Sequence, residues 1–308
     1  MQELINQKNI EEESSVASYN KKTHVPVLLI ETISLLNPQE GEFFVDGTAG
    51  EAGHMKAILE KIGPAGKYLA VDWNKENANR LIREFESDKR VRVANANFAD
   101  IPRLLQDEKA DGLLLDLGFS SGELEAGRGF SFQKDEPLLM TYSDEEEPLY
   151  RILKRLSEQD IFEILKLTGE RYSRPMAKAI FEAERKNPIK TTGELVEVLK
   201  KAAPRGYEHG RINVGTRAFL GFRIYANKEL QNLRNILEAA PEIIKKNGRV
   251  GVITFQSLED KIVKEIFKKQ AKEGKLEILN KKPIGPDPAE IRRNPRSRSA
   301  KLRAGRIV

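Results

Sequence analysis

Short apolar runs separated by helical segments are the feature that most constrains how this chain folds. Apolar runs lie at 43–46, 67–73 and 111–118, and a further candidate strand, VRVANANF, covers 91–98. Strands that are spaced by helices predict parallel βαβ units, in which helices cover both faces of the sheet. The first part of the chain is therefore predicted to be an α/β domain with a parallel sheet.

The pattern changes at residue 119. Residues 119–148 are rich in Gly, Ser, Glu and Pro, and residues 149–202 contain amphipathic helical stretches without a convincing strand. Strand character returns in GRVGVITF at 248–255, after a long helical segment and the expected turn residues Asn247 and Gly248. We therefore predict a mainly helical insertion, after which the sheet resumes.

The C-terminal part combines a predicted helix with a basic segment. Ser257 is the expected N-cap of the helix that follows the returning strand. Residues 291–308 carry seven Arg or Lys and no acid. Such a segment either binds a polyanion or forms a solvated basic tail, and SAKLRAGRI within it is also suited to a closing strand.

Composition limits the chemistry that this chain can perform. It has no cysteine, which excludes disulfides, thiolate catalysis and cysteine-bound zinc or iron–sulfur centres. With three histidines, a zinc site built mainly on His is not expected, and we predict no metal. No apolar run approaches the roughly 20 residues that span a bilayer, and residues 1–22 have the composition of a flexible polar tail. We expect a cytoplasmic protein without membrane contact.

A glycine-rich segment, VDGTAGEAGH at 45–54, joins the first strand to a helix through Gly47, Gly50 and Gly53. Glycines let the backbone turn tightly and approach a ligand, and the N-terminus of a helix offers free N–H groups. The segment matches neither GxGxxG nor GxxxxGK[ST], so it does not favour pyrophosphate or triphosphate binding. It predicts a nucleotide-type cradle, or else only a tight turn.

Two aspartates follow strands at the same edge of the predicted sheet. Asp72 ends the second strand, where an acid in Rossmann-like sheets accepts hydrogen bonds from both ribose hydroxyls. Asp116 ends the fourth strand, close to the same carboxyl edge, where doubly wound sheets bind ligands. Each aspartate alone is also consistent with a helix or turn cap. Together with the glycine-rich loop they predict a site for a nucleoside-containing ligand.

Several sequence blocks resemble those of the RsmH (MraW) family. The resemblance rests on HVPVLLIET, FFVDGTAGEAGH, DLGFSS, GRGFSF, ITFQSLEDKIVK and NPRSRSAKL, which stand in nearly the usual order and spacing. It implies a Rossmann-like, S-adenosylmethionine (SAM)-dependent methyltransferase sheet, formed by residues 23–118 and 213–308. It also implies an inserted, mainly helical substrate-recognition domain at 119–212. The implied reaction is methylation of N4 of a cytidine in 16S ribosomal RNA, in the decoding region of the small ribosomal subunit.

The resemblance also implies the residues of the site. Carried over position by position, the cofactor-binding residues are Ala52, Gly53, His54, Asp72, Phe98, Asp116 and Glu123. Asp116 is in addition the predicted catalytic residue, as an acceptor for the protons of the target amine, by analogy with amino-methyltransferases. For two of these residues a structural role is the alternative: Phe98 as a core residue and His54 as the opening of a helix.

The chain departs from the family pattern at several positions. Gly122 and Glu123 stand where Gln is usual, and a carboxylate accepts hydrogen bonds but cannot donate them. Leu139 and Thr141 stand where Asp and Arg are expected, and Gln256 replaces a usual His. These changes leave two alternatives open: an RNA-binding or ribosome-assembly protein with altered catalysis, and a SAM methyltransferase with another substrate.

The sequence allows two roles for Arg128 and more than one oligomeric state. Arg128, in the GRGF block, is either a phosphate contact or a structural bridge between the insertion and the core. The oligomeric state is not determined by the sequence, a dimer being one option.

Overall fold

The computed structural model describes residues 26–118, 127–207 and 213–308, so the predicted tail at 1–22 and Glu123 lie outside the described residues. The strands of the described ranges are β1 (Phe43–Asp46), β2 (Lys67–Asp72), β3 (Val91–Asn95), β4 (Ala110–Asp116), β5 (Ile244–Thr254), β6 (Leu276–Ile278) and β7 (Lys301–Ile307). They form one sheet of the order β3-β2-β1-β4-β5-β7-β6. Strands β1 to β5 pair in parallel, and β7 is antiparallel to both of its neighbours. The predicted α/β class with a mostly parallel sheet is confirmed.

Helices connect the strands and build the insertion. They are α1 (Leu29–Leu36), α2 (Gly53–Ile62), α3 (Lys75–Glu84), α4 (Ile101–Leu105), α5 (Leu149–Ile152), α6 (Glu158–Leu167), α7 (Ser173–Lys186), α8 (Thr192–Ala202), α9 (Gly215–Ala226), α10 (Glu229–Ile243), α11 (Ser257–Lys272) and α12 (Pro288–Arg293). The amphipathic stretches predicted at 149–202 form α5 to α8. Within the described ranges, no helix is both long and apolar enough to cross a membrane.

Two local predictions at the second half of the sheet are wrong. Helix α10 ends at Ile243 and β5 begins with the next residue, so Asn247 and Gly248 lie inside the strand and do not form a turn before it. Asn247 has a φ of 67°, and the pairing of β4 with β5 shifts its register at this point. This shift is a β-bulge, which accommodates residues of β5 that have no partner on β4. The N-cap of α11 is Gln256, and Ser257 is its first helical residue.

The sheet is buried on both faces. Leu113 and Leu115 of β4 belong to one apolar cluster, which α10 and α11 complete, while Leu114 belongs to a second cluster with residues of α2. Successive side chains of a strand point to opposite faces, so a strand buried on both faces has no polar alternation. This is why LLL occurs as a continuous run. Burying each leucine contributes about 1.5 to 3 kcal/mol.

The helical part has a hydrophobic core of its own. That core extends from Phe130 to Ala226 and includes buried side chains of α9, among them Ala218 and Phe222. Capping boxes start two of its helices, with Ser157 at α6 and Thr191 at α8. Each box satisfies N–H groups that the first helical turn leaves without partners.

The basic C-terminal segment has two structurally different halves. Lys301 and Arg303 lie on β7 and form ion pairs with Asp260, and Arg306 pairs with Glu277. The other four cations are exposed in α12 and the turn after it: Arg292, Arg293, Arg296 and Arg298. The interpretation as a solvated tail is therefore wrong for 301–307, where the chain forms the predicted closing strand.

Candidate functional site

Two cavities meet at the carboxyl edge of the parallel strands. The first encloses about 790 Å³, including solvent at its mouth, and the second about 1580 Å³ on the same measure. Residues that line both cavities are Thr48, Gly50, Asp116 and Gly118. The walls between the two spaces are thus the loop after β1 and the tip of β4.

Asp72 holds the glycine-rich loop against the end of β2. Its Oδ2 accepts a hydrogen bond from the Gly50 N–H at 2.8 Å, and its Oδ1 accepts one from the Asn74 N–H at 2.8 Å. Asn74 in turn caps α3 by accepting from two backbone N–H groups. Burial raises the pKa of the Asp72 carboxyl above its usual range, against the lowering effect of these hydrogen bonds. Asp72 therefore shapes the first cavity as well as lining it.

Asp46, the last residue of β1, forms hydrogen bonds that hold the start of the same loop. Its Oδ1 accepts from the Thr48 N–H at 3.0 Å and its Oδ2 from the Tyr68 hydroxyl at 3.1 Å. The side chain is buried, which raises the pKa of the carboxyl to about 6. Farther along the loop, Gly50 and Ala52 have φ values of 43° and 64°, in the left-handed region. The loop is thus a tight turn, and it also borders both cavities.

Asp116 stands at the junction of the cavities. Its backbone N–H donates to the Thr48 hydroxyl at 2.6 Å, and its Oδ1 accepts from the Gly118 N–H at 3.3 Å. Its side chain is 21% exposed, and its Oδ2 lies 3.7 Å from Nδ1 of His54. Oδ1 is therefore held by the Gly118 N–H and Oδ2 faces His54, while the residue borders both cavities.

The first cavity is acidic. Carboxylates of Asp72, Asp116, Glu229 and Glu259 line it, and among its described lining residues there is no Lys or Arg. Burial raises the pKa of Glu259 to about 7, although the N–H groups of Phe255 and Gln256 donate to it. Because Glu229 is paired with Arg223 and Glu259 is partly protonated near pH 7, the wall is moderately negative, which disfavours a pyrophosphate and attracts a cation.

The shape and the apolar surfaces of this cavity fit a nucleoside. Phe98, Leu117 and Leu233 supply apolar walls beside the carboxylate of Asp72. A Cβ added at Gly50 would meet no heavy atom closer than 3.5 Å, so the loop leaves this side of the cavity open. The residues therefore fit a nucleoside that carries a positive charge. No cluster of three or more potential metal ligands occurs in the described parts of the chain.

The predicted site residues divide between the two cavities. Asp72, Phe98 and Asp116 line the first cavity. Gly53 and His54 line the second. Ala52 is buried and lines neither cavity. Glu123 lies outside the described residues. The assignment of cofactor contacts to the loop residues remains a prediction.

Some lining residues were missed by the sequence reasoning. Trp73 and Asn74 follow Asp72 directly, and their position at the strand end was the signal for them. Asn232 of α10 reaches the cavity from a distant part of the chain, and no local pattern marks it; Glu229 of the same helix, which also lines the cavity, belongs to a block that resembles the family. Glu229 forms a two-pronged ion pair with Arg223, at 2.8 and 2.9 Å.

The departures Leu139 and Thr141 lie in or next to a segment that Arg128 contacts. The Arg128 guanidinium donates to the carbonyl oxygens of Thr141 and Ser143 and to the Thr141 hydroxyl, and it pairs with Asp144 at 2.6 Å. Thr141 is buried, and Leu139 is half-buried in the same segment. Arg128 thus binds the segment at 141–144, so these contacts are structural but lie within the predicted insertion, whereas the expected structural role was a bridge to the core.

Comparison with known proteins gives consistent results. The model of the MraW methylase family matches residues 21–308. A Clostridium botulinum (strain Kyoto) protein named ribosomal RNA small subunit methyltransferase H is 40% identical over 306 residues, which cover 92% of this chain and 99% of that one. Proteins of the same name from Thermotoga neapolitana and a Sulfurihydrogenibium species are 40% and 39% identical, and each alignment covers 92% of this chain.

Proposed function

The chain belongs to the MraW methylase family, and from this membership and the geometry of the site we propose that it transfers the methyl group of SAM to the N4 amine of a cytidine in small-subunit ribosomal RNA. The observation that carries this proposal is the position of Asp116, which lines both cavities. A methyl donor in the first cavity and an amine in the second meet at one carboxylate.

The first cavity is assigned to SAM. When bound, SAM supplies an electrophilic methyl group on a positively charged sulfur. Asp72 lines the cavity and is suited to accept hydrogen bonds from the ribose hydroxyls; besides its two backbone contacts it accepts long bonds, at 3.4 Å, from the Asn77 amide, which a ribose hydroxyl can replace. Phe98 and Leu233 offer apolar surface to a base. The acidic lining favours a cation over a dinucleotide such as NAD.

Asp116 is assigned to the target amine. The lone pair of N4 of cytosine is delocalised into the ring, so the amine is a weak nucleophile. Asp116 is placed to accept a hydrogen bond from one N–H of this amine and to take that proton as the new N–C bond forms. The Thr48 hydroxyl and the Gly118 N–H hold the aspartate in place. Orientation by a preformed acceptor lowers the barrier without a covalent intermediate.

Mass spectrometry of nucleosides tests this proposal. The purified protein is incubated with SAM carrying a deuterated methyl group and with small ribosomal particles from cells that lack the corresponding methylase. We expect a labelled N4-methylcytidine in the digested small-subunit RNA and none after denaturation of the protein. A label on a different nucleoside would support another substrate. SAM binding without any labelled nucleoside would support a ribosome-assembly role without methyl transfer.

A further inference from the structure

The second cavity is lined by aromatic rings that come from separate parts of the fold. Phe130 and Phe132 lie before α5, Phe219 belongs to α9, and Phe255 follows the end of β5. Phe132 and Phe219 meet edge to face with ring centroids 5.5 Å apart. The Phe255 ring lies over Gly118, where an added Cβ would come within 2.9 Å of it. Flat rings on several sides of one cavity form a surface on which a base can stack.

The charge at this cavity is distributed unevenly. Arg223 lines the wall, but its guanidinium is half-buried and forms a two-pronged ion pair with Glu229. Arg296, in the turn after α12, is exposed and lines the same cavity together with Asn294 and Ser299. A phosphate is therefore favoured at the side formed by residues 294–299, whereas the depth of the cavity favours an uncharged ring.

The position of Asp116 excludes a paired base as the occupant. Its carboxylate is largely buried between the two cavities. The amine of a cytosine within a helix is hydrogen-bonded to its partner base and stacked between neighbours, so it cannot reach such a position. A nucleotide must first leave the stack, and single-stranded or unstacked bases are the form in which proteins bind RNA on aromatic side chains.

We propose that the second cavity binds one unstacked nucleotide of the RNA, with its base against the Phe255 and Phe132 rings, its amine toward Asp116 and its phosphate at Arg296. This inference rests on the proposed function, because it names the subsite that presents the amine. The proposal assigns substrate contacts to Phe132, Phe255 and Arg296, which line only the second cavity. Replacing any of these side chains should therefore leave the binding of SAM intact.

Steady-state kinetics of the full chain test these contacts. The substrate is unmethylated small ribosomal particles at saturating SAM, and the affinity for SAM is measured separately by calorimetry. Phe255→Leu keeps apolar bulk but removes the flat ring, and we expect a roughly ten-fold lower kcat/KM for the particles. Arg296→Gln should raise KM and lower the slope of log KM against log salt by about one. Arg83→Gln, at an exposed position on α3, is the matched control and should change neither quantity.

The outcomes separate this inference from the proposed function. A folded Phe255→Leu variant with the kcat/KM of the wild type would overturn the subsite. If that variant does not fold, as judged by its thermal transition, Phe132→Leu on another wall replaces it with the same expectation. A loss of SAM affinity in both variants that accounts for the loss of rate would also overturn it. Failure of the wild-type chain to bind SAM or to methylate RNA would instead refute the proposed function.

Discussion

His54 connects the first turn of the described chain to the junction of the two cavities: its Nε2 lies 3.0 Å from the carbonyl oxygen of Val27, and its Nδ1 lies 3.7 Å from Oδ2 of Asp116. A carbonyl oxygen only accepts hydrogen bonds, so this geometry assigns a proton to Nε2. Nδ1 forms an ion pair with the carboxylate only in the doubly protonated form of the ring, which is a cation. The charged form of His54 would keep Asp116 ionised and fix its orientation.

Replacing His54 with Gln tests this relationship. The Gln amide can still donate to Val27, but it carries no charge beside Asp116. We expect kcat to fall roughly ten-fold while the affinity for SAM is retained, because His54 lines only the second cavity. Calorimetry with SAM and turnover at saturating SAM separate the two effects. A variant that loses SAM affinity and recovers its rate at saturation would support the alternative, a direct cofactor contact by His54.

Replacing Asp116 with Asn tests its role as proton acceptor. Asn preserves the shape and the contact with the Gly118 N–H but is a neutral and much weaker base. We expect a decrease in kcat of about 10² to 10⁴ that persists at saturating SAM. Asp107→Asn, in an exposed turn, is the control. If saturating SAM restores the rate, Asp116 is a cofactor contact and the acceptor is another group.

Replacing Asp72 with Ala should act mainly on the binding of SAM. The ribose contacts are equal in the ground and transition states, so their loss appears in affinity. Hydrogen bonds to a charged acceptor contribute roughly 1.5 to 3 kcal/mol, which predicts a loss of about ten- to a hundred-fold. The fluorescence of Trp73, the single tryptophan of the chain and a lining residue of this cavity, provides the titration signal.

The same variant should also be less stable. Asp72 accepts hydrogen bonds from Gly50 and Asn74, and its removal leaves these N–H groups without their partner. We expect the free energy of unfolding to fall by about 1 to 3 kcal/mol. Asp107→Ala should change neither affinity nor stability. An Asp72→Ala protein with unchanged SAM affinity would remove the ribose assignment, whatever its stability.

Glu259 predicts a specific dependence of stability on pH. Burial raises its pKa in the folded state from 4.5 to about 7, so the folded protein keeps this proton over a range in which the unfolded chain has lost it. The contribution of Glu259 to stability is therefore greatest below pH 4.5, declines as the pH rises to about 7, and is constant above. The total change is about 3 kcal/mol.

Glu259→Gln removes this titration while keeping an acceptor for the backbone N–H groups. Denaturant unfolding between pH 4.5 and 8 should show that the difference in free energy of unfolding, variant minus wild type, increases with pH up to about 7. Asp46, whose pKa is raised to about 6, titrates in both proteins and cancels in this difference. Parallel curves for the two proteins would contradict the assignment.

The basic C-terminal segment should respond differently to changes in its two halves. Deleting residues 301–308 removes β7 and leaves the paired edges of β5 and β6 open, so we expect loss of the cooperative thermal transition. Replacing Arg292, Arg293 and Arg298 with Gln should leave folding intact and lower the salt slope of RNA binding by up to about three. Arg306→Gln, whose charge Glu277 already neutralises, is the control. An unchanged slope in the triple variant would exclude this surface from RNA binding.

The sequence by itself determined the α/β class and the edge at which the site lies. Continuous apolar strands require burial on both faces, and parallel strands bring their carboxyl ends to one edge, so the position of Asp72 and Asp116 at the same edge of the sheet was predictable. The family blocks added the expected chemistry. These signals are local, because each depends on a few consecutive residues and the periodicity of their burial.

Only the tertiary structure decided which distant groups complete the site. Glu229 and Glu259 reach the first cavity because α10 and α11 pack against the same sheet, and helix packing depends on surfaces that no local pattern specifies. The separation of His54 from the first cavity depends in the same way on the turn that precedes α2. The structure of the basic segment depends on strand pairing, because β7 inserts between β5 and β6. Asp260 and Glu277 form ion pairs with its cations, and the number of charges along the chain does not reveal these partners.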